Sequence, residues 1–227
     1  FDEAGLERTL ALYAGAYQQS AAGDLGRAVF DAVERHRLDQ RLADEHSQRA
    51  VQIDPRDAWS LSVAGHIQSF LNKRFDAAME MFDQALHLNP SCAPAWARSG
   101  TTLAYIGRGE EALTRVRNAM RLSPFDQHTF SYCTSNGTAA IVTGRFDEAV
   151  GWLNKAQRLN PRYKASARLL IAALALSGDT AGACERAAAF LESEPGFTVT
   201  GFGRWYPLQS PYLERVLEGL RLAGLPP

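Results

Sequence analysis

Small and apolar side chains return along this chain at one fixed spacing: an alanine, a variable residue four places on, an alanine or phenylalanine three further, and a proline five further still. The pattern occurs as Ala43, Ser47, Ala50, Pro55; as Ala78, Phe82, Ala85, Pro90; as Ala112, Val116, Ala119, Pro124; as Ala149, Leu153, Ala156, Pro161; and as Ala183, Ala187, Phe190, Pro195. Its prolines stand 35, 34, 37 and 34 residues apart. Steps of four and three stay on one face of a helix, and an alanine there lets a second helix approach to about 8 to 10 Å. Proline cannot continue a helix and biases its predecessor, here Asp54, Asn89, Ser123, Asn160 or Glu194, away from helical conformation. Each unit therefore stops at a set place.

Within the units, GRGEEA at 107–112, GRFDEA at 144–149 and GDTAGA at 178–183 supply a glycine turn between two helices, whereas KRFDAA at 73–78 has none and carries about one extra residue before it. The pattern predicts helix pairs at 57–71 with 75–88, 91–106 with 109–122, 126–143 with 146–159, and 162–177 with 180–193. Further helices are expected near 2–21, 25–36 and 38–53. The lengthened interval around LSPFDQHTFSY extends a loop or the start of the next helix. After Pro195 the repeat ends. A short helix, a proline-marked turn and a last helix from Pro211 follow, with Ser210 as N-cap and Gly224 past the end. Leu213, Val216, Leu217 and Leu220 form an apolar stripe that suits a cap on the array.

A recurrence of about 34 residues of helix-turn-helix type resembles the tetratricopeptide repeat (TPR) family over roughly residues 24–195. The unit from Ala93 to Pro124 lies nearest the family pattern, with Trp96, Gly100, Leu103, Gly107, Ala112, Ala119 and Pro124 in phase. Elsewhere Gly137 keeps its place while Cys133 stands for the tryptophan, and Ala167 and Ile171 fill the corresponding places of the last unit. The resemblance implies an all-α fold, a right-handed TPR superhelix of antiparallel helix pairs with a C-terminal capping helix. The expected organisation is N-terminal helices with a degenerate repeat over 1–55, four pairs over 56–195, and a capping segment over 196–227, in one continuous solenoid domain.

Composition narrows the function. With 24 Lys and Arg against 25 Asp and Glu, the chain lacks the basic balance of a free-standing nucleic-acid binder. Cys92, Cys133 and Cys184 form no Cys-x-x-Cys pair, which argues against a disulfide framework or a zinc site, suits a reducing cytosol, and reads them as small buried residues. No run is long and apolar enough for a membrane span, and a start at Phe1 suggests that something precedes it. His36, His46, His66, His87 and His128 are scattered. Neither GRGE at 107–110 nor GFGRWY at 201–206 sits between a strand and a helix as a phosphate loop must. Asn136-Gly137-Thr138 matches a glycosylation acceptor but falls within a predicted helix. Glu110 with Glu111, and Asp147 with Glu148, occupy first turns of helices, where negative charge complements the helix dipole. The recurring aromatics Trp59, Trp96, Trp152, Trp205, Phe75, Phe82 and Phe146 read as packing. No enzyme site, metal or cofactor is expected.

The TPR resemblance places binding on the face made by the first helix of each pair. It assigns His66, Arg98, Thr101, Tyr105, Thr134, Thr138 and Arg168 to that groove, among Ala97, Ala104, Ile141 and Ala172. These positions lack the Asn and Lys clamp that family members use for a peptide carboxylate, so a helix or extended segment with apolar anchors fits better. The partner is then a protein or peptide segment, or another domain of the same protein, with a homodimer also allowed and neither nucleic acid nor membrane expected. WYPLQSPY followed by ERVLEGLRLAGLPP resembles the close of TPR regions attached to bacterial class III adenylate or guanylate cyclases, and similar regions follow winged-helix DNA-binding domains in transcriptional activators. Either parent implies a cytoplasmic regulatory segment.

Overall fold

The computed structural model describes residues 40–227, and all their regular structure is helical. The helices expected near 2–21 and 25–36 lie outside the described residues. The chain divides into two compact units, Phe1–Ser99 and Gly100–Pro227. The first contains α1 (Gln40–Ile53), α2 (Ala58–Phe70), α3 (Phe75–Leu88) and the start of α4 (Ala93–Tyr105). The second holds the end of α4, then α5 (Gly109–Leu122), α6 (Thr129–Val142), α7 (Phe146–Leu159), α8 (Lys164–Ser177), α9 (Thr180–Ser193), α10 (Val199–Trp205) and α11 (Tyr212–Leu222). The four pairs α2/α3, α4/α5, α6/α7 and α8/α9 fall within three residues of their predicted bounds.

Alternating size across each pair sets the helix separation. A Cβ added to Gly65 would stand 2.8 Å from the Phe82 ring, one on Gly100 2.6 Å from Val116, and one on Gly137 2.5 Å from Leu153. In the last pair the sizes are exchanged: Ile171 holds the glycine place and Ala187 the bulky one, and both are buried. The repeat alanines Ala78, Ala85, Ala112, Ala119, Ala149, Ala156 and Ala183 are wholly buried, as close helix approach requires. In the first unit Ala58, Leu61, Ala85, Cys92 and Ala95 form a core cluster.

The turns obey one backbone rule with two chemistries. Gly107, Gly144 and Gly178 adopt φ of 85°, 76° and 96°, and Lys73 takes the equivalent left-handed place at 54°. The extra residue before it shows in the hydrogen bonds. Arg74 N–H reaches back six residues to Gln68 O, whereas Arg108, Arg145 and Asp179 reach back five, to Leu103, Ala140 and Leu174. Helices α5 and α7 begin without a side-chain cap, but their acidic first turns pair with the preceding arginines, Arg108 with Glu111 and Arg145 with Glu148 and Glu110. The lengthened interval appears mainly as a six-residue connection, 123–128, between α5 and α6. There Asp126 accepts from His128 N–H at 2.8 Å and from the Tyr132 hydroxyl at 2.9 Å. Burial would raise its carboxyl, but the His128 side chain, together with these bonds, outweighs burial and holds it well below the usual carboxylate range.

Two local expectations are corrected. Ser210 does not cap α11: its hydroxyl bonds Glu214 at 2.7 Å, and no side chain caps that helix. The N-cap place falls instead to Pro211, whose side chain has no acceptor to offer the first-turn amides. Cys184, expected to be buried, is exposed, while Cys92 and Cys133 are buried.

Candidate functional site

The residues assigned to the first helices fall into two groups. In the first unit, Arg98 of α4 donates through Nη1 to Ser62 Oγ at 2.6 Å and lies 4.8 Å from the centre of the Trp59 ring. His66, one turn after Ser62 on α2, is buried and stacks on Phe70 at 5.5 Å. Burial, then the nearby Arg98 charge, holds its imidazole down to about 3, so it is neutral at physiological pH. This arrangement packs a permanent cation against an indole face and a hydroxyl beside a neutral ring.

In the second unit, Thr101 and Ser135 share a hydroxyl hydrogen bond at 2.6 Å, linking α4 to α6. Thr134 and Thr138 are buried and turn their hydroxyls back onto their own helix, to Phe130 O at 2.9 Å and Thr134 O at 3.0 Å. Tyr105, Thr138 and Arg168, from α4, α6 and α8, are brought together by one residue and its neighbours in the closing segment. The Tyr206 ring meets Tyr105 edge-on at 5.8 Å and stacks on Phe202 at 4.6 Å. Burial pushes its hydroxyl up to about 12, against the opposing pull of Thr138 and of the Arg168 charge. The Arg168 guanidinium lies 5.3 Å from the Phe202 ring centre and 5.4 Å from that of Trp205.

Backbone bonds extend this contact along the first helices. Gln209 N–H donates to Tyr105 O at 2.8 Å, taking a carbonyl at the end of α4. Arg215 Nη1 donates to Ile141 O at 3.2 Å and Val142 O at 3.5 Å, placing a cation at the C-terminus of α6. Tyr212 covers Gly107, where an added Cβ would meet its ring at 2.4 Å, and Gly219 lets α11 rest on the backbone of Ala172 in α8. Between the two short helices, Tyr206 is extended, and Tyr206, Pro207 and Leu208 are buried. The apolar stripe of α11 behaves as its pattern implies, with Val216 and Leu220 fully buried and Leu213 and Leu217 half-buried.

Tyr206, Gln209 and Gly219 were not among the residues singled out from sequence. Pro207 and Pro211, which break helicity between two apolar stretches, were the available signal that a non-helical strap lay there. Among the described residues no three His, Cys, Asp or Glu side chains gather as metal ligands, and no helix is long and apolar enough to cross a membrane.

No family model matches the chain. It is 34% identical over 80 residues to a peroxisomal targeting signal receptor of Saccharomyces cerevisiae, a match covering 35% of this chain and 12% of that protein. The chain thus spans only a small part of the length of the curated relative. Among solved structures it is similar to PilW, a widely conserved type IV pilus biogenesis factor, with a TM-score of 0.65 at 17% identity over 91% of this chain and 90% of that one. It is also similar to YrrB, described as a TPR protein with an unusual peptide-binding site, with a TM-score of 0.51 at 23% identity over 79% and 91% of the two chains. The described residues have the all-helical TPR solenoid fold implied by the repeat.

Proposed function

We propose that this chain is a non-catalytic protein-interaction module that takes a protein or peptide segment on the first helices of its pairs. The observation that carries this reading is the closing segment itself. In the second unit those helices already hold an extended strap through an aromatic ring, a buried hydroxyl and backbone carbonyls at helix ends, the means by which folded surfaces hold peptides. The likeness to a targeting receptor and to a peptide-binding TPR protein supports it. His66, Arg98, Thr101, Tyr105, Thr134, Thr138 and Arg168 are the proposed contact residues, and a net charge of -1 favours protein over nucleic acid as partner. The unpaired cysteines fit a cytoplasmic setting. Attachment to a nucleotide cyclase, or to a winged-helix activator, rests on the resemblance of the closing run alone.

Site-directed photo-crosslinking tests the reading. A reactive residue at Thr101 on α4 should capture a partner from the native host, and one at Trp152 on α7 should not. Capture confined to position 152, or substrate turnover by the purified chain, would overturn it.

A further inference from the structure

We propose that the closing hairpin, residues 197–227, is a built-in occupant of the first helices of the second unit, and that a partner reaches them by displacing it. This rests on the interaction-module reading and adds the regulation of that site and the chemistry of its ligand. Bonds within the hairpin tie its two arms together. Val199 N–H donates to Pro226 O at 2.8 Å, closing α10 and the chain end on each other, and Leu217 packs over Gly203. It joins α9 through a short connection containing Gly196, around which the space is open. Phe197, just after it, lies edge-on to Phe190 of α9 at 5.1 Å.

Its contacts are of the kind a separate ligand would make. A cap that only hides apolar surface needs the stripe of α11 and the helices it covers. This hairpin also donates to a carbonyl at the end of α4 and to two at the end of α6, sets Tyr206 beside Thr138, and lays aromatic faces over Arg168. A tethered occupant competes at a high effective concentration, so a partner must match these contacts closely to displace it. The ligand is accordingly a protein segment with a hydroxylated aromatic residue for the Tyr105–Thr138 place, extended apolar backbone after it, and a basic side chain for the C-terminus of α6.

The test uses the full chain and a labelled peptide of residues 197–227 as probe. The wild-type chain should bind it weakly, and Tyr206→Ala or Gly219→Ala in the chain, with the peptide unchanged, should tighten binding at least tenfold as the resident hairpin leaves. If these variants retain their helical circular dichroism and bind no tighter than wild type, the proposal is overturned. A measurement on the unaltered chain guards against a variant that fails to fold. Hydrogen exchange at Val199 and Gln209 should occur at least a hundredfold faster than in the middle of α6 and α8, through local opening, and exchange of all these amides in one global event would equally overturn it. A partner that binds the first helices while the hairpin stays protected would sink this inference and leave the interaction-module reading standing. No partner on those helices at all would sink that reading instead.

Discussion

Replacing Gly219 by alanine tests the seat of α11 because local preference and packing pull in opposite directions. Alanine is favoured over glycine inside a helix by about 0.8 to 1 kcal/mol, so on propensity alone Gly219→Ala should stabilise. Its Cβ, however, would stand 2.6 Å from Ala172 O, 2.9 Å from Ala172 Cα and 3.1 Å from its carbonyl carbon, all backbone of α8. Comfortable separations begin near 3.5 Å, so α11 must retreat by roughly 1 Å, and a gap of that size forfeits about a quarter to a half of each contact it opens. The contacts at risk include those of the buried Val216 and Leu220. Overpacking of this kind costs about 1 to 3 kcal/mol, leaving a net change between roughly zero and a loss of about 2 kcal/mol after the helix gain. Gly151 in α7 supplies the control, being exposed with nothing within 4 Å of an added Cβ. Gly151→Ala should stabilise by nearly the full 0.8 to 1 kcal/mol. Urea unfolding by circular dichroism, with unchanged slopes, reads both variants on one scale. Equal stabilisation by the two substitutions would refute the packing of α11 on α8.

Three further outcomes follow from the same geometry. Lys73 holds a left-handed conformation that costs a non-glycine residue about 1 to 2 kcal/mol, so Lys73→Gly should raise stability by about 1 kcal/mol in the same urea assay, and a loss would contradict the turn described. His66 is held down to about 3, below its unfolded value of 6.5, so the unfolded chain binds the extra proton between them. Its contribution is full above pH 6.5 and is lost as pH falls toward 3, by up to about 5 kcal/mol; His66→Leu should flatten that limb of a stability profile, and an unchanged limb would count against a buried neutral imidazole. Tyr206 is raised to about 12 from 10, so its contribution is present below pH 10 and is lost as pH rises toward 12, by up to about 3 kcal/mol. Tyr206→Phe should remove that alkaline loss, and near-ultraviolet absorbance showing Tyr206 ionised at pH 10 would refute its burial.

The helix pairs were legible because their spacing is enforced twice, by the distance two helices can approach and by the backbone of the turn between them. Gly65, Gly100 and Gly137 each face a bulky residue on the second helix, and an exchange such as Ile171 with Ala187 preserves the combined volume, so the pattern survives a change of letters. The turn at Lys73 shows the limit of reading letters: the left-handed place is filled although its usual residue is missing. The TPR resemblance assigned Tyr105, Thr138 and Arg168 to one groove, and in the structure all three lie against the closing segment.

What covers that face was not legible, for a reason that lies in the kind of contact made. An apolar stripe on α11 states that the helix must be covered and says nothing about which of several alanine-rich helices covers it. The bonds that choose its place run from Gln209 to Tyr105 O and from Arg215 to Ile141 O and Val142 O, the latter across more than 70 residues of sequence. Their acceptors are main-chain carbonyls, which every residue carries, so no side-chain pattern marks them. The same anonymity makes the helix ends usable by another segment: a partner that presents an amide and a guanidinium at this separation meets acceptors that are indifferent to its remaining sequence. Selectivity must then come from the side-chain contacts, the ring against Tyr105, the hydroxyl at Thr138 and the aromatic faces over Arg168.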